Sequence, residues 1–212
     1  MDNLDAIAER IRENFEAKNT ARDEALRRSR ELIRRCANTI RATHRAEFEE
    51  ASQLLAAAHH AASELVECVA DYPDLYHTGY TQDALKELAE ASITYALITD
   101  GPLPEPDDLN IEYAAYLNGL GEAVGELRRY VLDIIRRGQT ERAEEILSAM
   151  DDVYAVLVTM DFPDAITGGL RRTTDMVRGV LERTRGDLTM AMRQDKLQEA
   201  LRAFEERVNA NG

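Results

Sequence analysis

The sequence has few of the residues that interrupt a helix. It contains five prolines among 212 residues, and three of them fall within the single segment 101–106, GPLPEP. No Asn-Gly or Asp-Gly pair separates two alternating apolar runs, as a β-hairpin requires, and runs of β-branched residues are missing. Because proline is the strongest helix breaker, these absences predict an all-α protein.

Long apolar runs and cysteines are also scarce. No uninterrupted apolar stretch approaches the ~18 residues of a membrane span. The first residues, MDNLDAIAERI, are acidic and amphipathic and do not resemble a signal peptide. We therefore expect a cytoplasmic protein that does not bind a membrane. Cys36 and Cys68 are expected to be reduced and buried, which their spacing favours over a metal site.

Lysine is nearly absent, so the basic residues are almost all arginine. The lysines are Lys18, Lys86 and Lys196, and the formal net charge is -14. Such an acidic chain has no general attraction for nucleic acid. Any nucleic-acid surface must therefore come from a local cluster of arginines.

A row of arginines follows the predicted first helix at steps of three and four residues, apart from one longer step that Asn38 fills. Its members are Arg27, Arg30, Arg34, Arg41 and Arg45. A row of this kind can contact successive phosphates of a strand. The alternative is a solvated row paired with acids of the same helix, such as Glu24 and Glu31.

Hydrophobic spacing predicts seven helices. We expect them at about 4–44, 46–71, 81–99, 111–137, 140–160, 170–188 and 190–208, within one domain that spans residues 1–212. Helices of 40 and 25 residues would be about 60 and 40 Å long. Since that exceeds the core of so small a monomer, part of their apolar surface is expected to meet another subunit.

Two of these helices each carry a stacked pair of glutamates. In the fourth helix, Glu122 and Glu126 lie opposite an apolar row that runs from Tyr113 to Ile134. In the third helix, Glu87 and Glu90 also share one face. If the two faces meet, four carboxylates converge, and a hard divalent cation such as Mg²⁺ or Mn²⁺ would relieve their repulsion. The alternative is an ordinary solvated helix face.

Three glycines lie beside the glutamates of the fourth helix. A glycine inside a helix costs about 1 kcal/mol relative to alanine, so Gly119, Gly121 and Gly125 need a reason. We expect Gly119 and Gly125 to leave room for a substrate or a neighbouring helix. For Gly121, which is nearer the apolar row, close helix packing is the favoured explanation.

Several segments, in order, resemble the translin/Trax family over nearly the whole chain. YLNGLGEAVGELRR at 116–129 is similar to the family's YL-x-G-x-x-x-x-x-GEL-x-R segment, and ALKELAEA at 84–91 to its LQEYVEA segment. RELI at 30–33 with His44-Arg45 resembles the N-terminal region. The stretch 162–188 resembles the C-terminal half of archaeal members.

The resemblance implies a translin-type bundle of seven helices that assembles into a hollow homo-oligomeric shell, usually an octamer. Family members bind single-stranded RNA or DNA inside the shell. Trax-type subunits are Mg²⁺-dependent endoribonucleases, whereas translin-type subunits bind nucleic acid without the full acidic set. By this resemblance the catalytic, metal-binding acids of this chain are Glu87, Glu90, Glu122 and Glu126. Trax usually has aspartate where this chain has Glu122.

Three functions follow as hypotheses. The first is a Mg²⁺-dependent endoribonuclease, with Mn²⁺ as a possible substitute, that hydrolyses single-stranded RNA while Arg129 and the arginine row hold its backbone. The second is a catalytically inactive translin-like shell that binds single-stranded RNA or DNA. The third is a helical scaffold whose glutamate face is merely solvated.

Overall fold

The computed structural model describes residues 3–210, and within that range all regular structure is α-helical. The helices are α1 (Leu4–His44), α2 (Phe48–Cys68), α3 (Pro73–Tyr76), α4 (Gly79–Ile98), α5 (Pro106–Leu109), α6 (Tyr113–Ile135), α7 (Thr140–Val158), α8 (Asp164–Thr167) and α9 (Leu170–Ala210). The prediction of an all-α protein is confirmed. Of these helices, α3, α5 and α8 are single turns in the connections.

The C-terminal region differs from the prediction. Two helices with a break near residue 189 were expected, but α9 is one helix of 41 residues. Gly186 does not end it, because contacts on both sides hold the helix against the bundle. Arg185 binds Asp151 of α7, and Asp187 accepts a hydrogen bond from Arg128 of α6. These contacts offset the cost of about 1 kcal/mol that glycine brings to a helix.

The bundle is organised around α6, which packs against α4 on one side and against α7 and α9 on the other. Helix α1 packs against α2 and α4. The apolar row of α6 is buried at Leu120, Val124, Leu127, Val131 and Ile134. The row was predicted to begin at Tyr113, but that residue, at the first turn of α6, is 64% exposed. Long apolar side chains of α4 and α6 therefore form the centre of the core.

Hydrophobic spacing in the sequence predicts a buried face of α1 made of Leu26, Ile33, Ala37 and Ile40, and the structure confirms it only in part. Ile40 is buried, but the other three are half-buried, whereas Leu32 and Cys36 of the neighbouring row are fully buried. The sequence favoured the more apolar row. The structure instead buries a row that includes small polar side chains, because those allow α2 and α4 to approach closely.

Glycines of α6 permit two close helix contacts. A Cβ atom at Gly119 would lie 2.7 Å from both the Cβ of Ala89 and the backbone oxygen of Lys86. A Cβ at Gly121 would collide with the side chain of Thr173 on α9, as the packing interpretation of that residue expects. Gly125 is exposed and has open space around it. Gly119 thus sets the separation of α4 and α6.

Both long terminal helices carry exposed apolar rows. In α9 the row comprises Met190, Leu197, Leu201, Phe204 and Val208, and in α1 it comprises Leu4, Ile11 and Phe15. Their steps of three, four and seven residues place each row on one helix face. None of the described helices is both long and apolar enough to cross a bilayer.

Replacing Gly119 with alanine should destabilise the fold by about 2 kcal/mol, because the added methyl group must push α4 away from α6. The matched variant Gly125→Ala adds the same methyl group in open space and should stabilise the protein by up to about 1 kcal/mol. Urea unfolding of both variants measures this difference. Equal effects of the two substitutions would contradict the assigned role of Gly119.

Candidate functional site

The glutamate faces of α4 and α6 meet. Carboxylate oxygens of Glu87, Glu90 and Glu122 all lie within 4.8 Å of one another, and each side chain is half-buried. The pair from α4 is spaced by three residues, so both carboxylates emerge on the face that α6 approaches at Gly119. We refer to Glu87, Glu90 and Glu122 as the acid cluster.

Glu126 lies one turn further along α6 and is held by a different helix. Its Oε2 accepts a hydrogen bond from Nε2 of His44, at 2.5 Å. Arg129 is a more distant partner, at 3.8 Å from the same oxygen. Of the four acids predicted from the sequence, three therefore form the acid cluster, and the fourth is bound to His44.

Burial and mutual repulsion disfavour charge on the acids of α4. Burial, together with the carboxylates of Glu87, Glu122 and Glu126, raises the pKa of Glu90 to about 8, against the smaller effect of Lys86. Burial also raises the pKa of Glu87, with Glu122 as the next cause. Without a bound cation, Glu90 is therefore mostly protonated at neutral pH.

Side chains of other helices form hydrogen bonds with the acids of α6. Lys86 of α4 donates a hydrogen bond from Nζ to Oε1 of Glu122, at 2.7 Å. The hydrogen bond from His44 lowers the pKa of Glu126 despite its burial. Within residues 3–210, Glu87 and Glu90 have no such salt bridge or side-chain hydrogen bond. Of the four acids, Glu122 and Glu126 thus have a partner from another helix, whereas Glu87 and Glu90 do not.

His44 and Lys86 were not among the site residues predicted from the sequence. His44 is the last residue of α1, its side chain is only 4% exposed, and its Nδ1 atom has no hydrogen-bond partner in the described chain. The sequence offered one signal for it, the His44-Arg45 pair in the family resemblance. Lys86 gave no signal, since a lysine beside a glutamate is usual on a solvated helix.

The donor atoms of the acid cluster fit a hard divalent cation. Mg²⁺ and Mn²⁺ prefer carboxylate oxygens and commonly retain water ligands, so three nearby carboxylates suffice to bind one ion. Burial, followed by repulsion from the neighbouring carboxylates, raises the pKa values of Glu87 and Glu90, and a bound cation would oppose both effects. No soft ligand belongs to the cluster, because Cys36 is a buried free thiol whose pKa burial raises.

A cavity of about 600 Å³ adjoins the acid cluster. Its lining includes Lys86 and Glu122 on one side and Arg172 and Thr173 of α9 on the other. Asn118 joins the two sides, because it accepts a hydrogen bond from Thr173 and donates one to the backbone oxygen of Thr167. Of the acid cluster, Glu122 therefore lies at the edge of a space that can hold a small substrate group.

The predicted arginine row is on the surface, but its members differ in their partners. Arg27, Arg30, Arg34, Arg41 and Arg45 are all exposed. Arg27 is paired with Glu24 at 2.6 Å and with Glu31 at 3.6 Å, as the alternative interpretation expected. Among the described residues, Arg30 and Arg34 form no salt bridge. They are therefore the members most available to a phosphate.

The pKa of Glu90 has a consequence for stability without metal. The folded protein holds a proton on Glu90 up to a pH of about 8, whereas an unfolded chain releases it near its ordinary pKa of about 4.3. The free energy of unfolding in EDTA should therefore fall as the pH rises from 5 to 8. The change Glu90→Gln should remove most of this slope and raise the melting temperature at pH 8 by roughly 5 °C.

The control for that experiment is Glu182→Gln, which removes a carboxylate from an exposed pair with Arg178. Thermal melts from pH 5 to 8 should show the wild-type slope in this control. A wild-type slope in Glu90→Gln as well would mean that Glu90 is not the protonated group.

Comparisons with known proteins identify relatives of this chain. No protein-family model matches the chain. An uncharacterised protein of Methanocaldococcus jannaschii, MJ0175, is 30% identical over 186 residues, which cover 87% of this chain and 82% of that protein. The identity extends over most of both sequences, so it is not confined to one motif.

Solved structures show the same fold. The crystal structure of AfC3PO is 34% identical, with a TM-score of 0.81 over 87% of this chain and 96% of that one. A complex of AfC3PO with duplex RNA gives 36% identity and a TM-score of 0.77 at the same coverage. Apo-NeC3PO, at 21% identity, has a TM-score of 0.80 over 90% and 98% of the two chains. On these likenesses, the chain belongs to the translin/Trax family.

Proposed function

We propose that this protein is a Mg²⁺-dependent endoribonuclease that cleaves RNA inside a homo-oligomeric shell. The observation that carries the proposal is the convergence of Glu87, Glu90 and Glu122, with Glu126 one turn away. A protein that only binds a polyanion gains nothing from clustered carboxylates, since they repel phosphate. The cluster is therefore best explained by a cation that lies between protein and substrate.

The acids, His44 and the adjoining cavity have different proposed roles in this reaction. A divalent cation held by the acid cluster would supply Lewis acidity and lower the pKa of a water ligand. Glu87, Glu90 and Glu122 would hold it through carboxylate oxygens. His44 fixes Oε2 of Glu126, which leaves Oε1 free to bind the cation or its water. The adjoining cavity can accept the phosphate next to the scissile bond.

RNA is the proposed substrate, and its form is open to test. The resemblance to the family predicts single-stranded RNA, whereas AfC3PO has a structure with duplex RNA. Metal-assisted hydrolysis of the phosphodiester acts on backbone groups that both forms share. Cleavage with little sequence preference is expected, because the residues proposed here contact the phosphate backbone.

A catalytically inactive RNA-binding shell is the second candidate. Two observations favour it: Glu122 replaces the aspartate that is usual in Trax, and Glu126 lies outside the acid cluster. The longer side chain shifts a ligand by about one C–C bond, ~1.5 Å. In this case the protein would bind RNA without cleaving it.

A shell built from copies of this chain, an octamer by analogy with the family, is the assembly we propose. The exposed apolar rows at the ends of α1 and α9 support it, because soluble monomers rarely expose continuous apolar rows of this length. A shell would place the acid clusters around an enclosed space and so exclude long, folded RNA.

Glu90→Gln and Glu126→Ala should each lower Mg²⁺-dependent cleavage of labelled RNA by at least about a hundredfold, because each removes a group that holds or orients the cation. The control Glu182→Gln removes a surface carboxylate and should cleave like the wild type. Single-stranded and duplex RNA are tested in parallel, with EDTA as the blank. Equal cleavage by the wild type and both site variants would remove the assigned site, and tight binding without cleavage would favour the inactive shell.

The arginine row makes a separate prediction about RNA affinity. The double variant Arg30→Gln/Arg34→Gln should bind RNA more weakly and reduce the slope of log affinity against log salt by about two, one for each lost phosphate contact. Arg27→Gln is the matched control, since Glu24 and Glu31 already occupy that guanidinium. Fluorescence anisotropy at several salt concentrations measures the RNA affinity of both variants and its dependence on salt. An unchanged slope in the double variant would place the RNA on another surface.

A further inference from the structure

Lys86 is one of the three lysines of the chain, and it lies inside the acid cluster. Its side chain is only 21% exposed, and its Nζ contacts Oε1 of Glu122 at 2.7 Å. Lys18 of α1 also pairs with an acid, Asp74, but at a more exposed site. The two pairs are chemically alike, yet Lys86 neutralises an acid of the proposed metal site.

A metal ion and the ammonium of Lys86 compete for the same carboxylate. A cation such as Mn²⁺ binds a carboxylate oxygen at about 2.1 Å, so an ammonium on that same oxygen would lie within about 5 Å of the ion. Like charges at that distance repel strongly in a half-buried site. The contact between Lys86 and Glu122 therefore belongs to the metal-free protein.

The adjoining cavity offers the displaced ammonium a place to go. Lys86 and Glu122 both line this space of about 600 Å³. A rotation of the flexible lysine side chain therefore moves Nζ away from the carboxylate of Glu122 and into the cavity. Arg172 lines the far side, and among the described residues it forms no salt bridge. A phosphate group in the cavity would thus have a basic group on each side.

We infer that Lys86 is the resident counter-ion of the metal-free site, that it releases Glu122 when a divalent cation binds, and that its ammonium then contacts the substrate phosphate in the adjoining cavity. This inference rests on the proposed metal site. It assigns Lys86 a dual role: the same side chain weakens metal binding to the empty protein and strengthens RNA binding to the metal-loaded one.

Isothermal titration of the metal-free protein with Mn²⁺ alone tests the first role. Lys86→Gln should bind Mn²⁺ about fivefold more tightly than the wild type, which corresponds to the loss of one partly exposed ion pair. Lys18→Gln removes the same charge at a distant pair and should leave the affinity unchanged. Lys86→Arg keeps the competing charge and should stay near the wild type. Circular dichroism confirms that each variant is folded.

The sign of the effect separates this inference from a structural role. If Lys86 merely held Glu122 in position, Lys86→Gln would bind Mn²⁺ more weakly or equally, and the inference would be wrong while the metal site stood. If the wild type bound no Mn²⁺ at all, the metal site and this inference would fall together. Competition between Lys86 and the metal is supported if Lys86→Gln binds Mn²⁺ more tightly than the wild type while Lys18→Gln and Lys86→Arg do not.

RNA cleavage at saturating Mn²⁺ tests the second role. Lys86→Gln should then raise the KM for RNA about threefold, since one phosphate contact is lost, whereas Lys18→Gln should not change it. Lys86→Arg should keep the KM within about twofold of the wild type, because it retains a phosphate-binding cation. A KM equal to that of the wild type in Lys86→Gln would show that the ammonium does not reach the substrate.

Discussion

The close approach of α4 and α6 at Gly119 is the constraint on which the site depends. Because no side chain separates Gly119 from Ala89 and the backbone of Lys86, the carboxylates on the two helices come within a few ångströms of one another. The same packing that brings them together removes water from them, and their repulsion grows as a result. The core packing of α6 on α7 and α9 must therefore hold the acids together against their own charge.

The repulsion between the acids is reduced in different ways on α4 and on α6. The acids of α6 receive a lysine and a histidine from other helices, whereas Glu90 of α4 is neutralised by a proton. On α4 a cation would therefore displace a proton from Glu90, and on α6 it would meet Glu126 held in place by His44.

Helical periodicity was sufficient to place each pair of glutamates on one face, and the family resemblance assigned all four to one metal site, of which the structure brings three together. Helical periodicity also predicted both ends of the first helix correctly, because Leu4–His44 contains no glycine or proline that would interrupt it. The partners Lys86 and His44 could not be predicted, since they reach the acids across helix boundaries that spacing does not describe. The unbroken α9 was missed for a related reason: its continuity at Gly186 depends on contacts with Asp151 and Arg128, far away in the sequence.

The unbroken helix α9 has two parts, one that packs against the bundle and an outer one that is mostly exposed. Its last buried residue in the described chain is Leu188, and Met192 one turn later is partly buried against the core. Substitutions in the exposed apolar row beyond that point, from Leu197 to Val208, should therefore leave the acids of α4 and α6 in place.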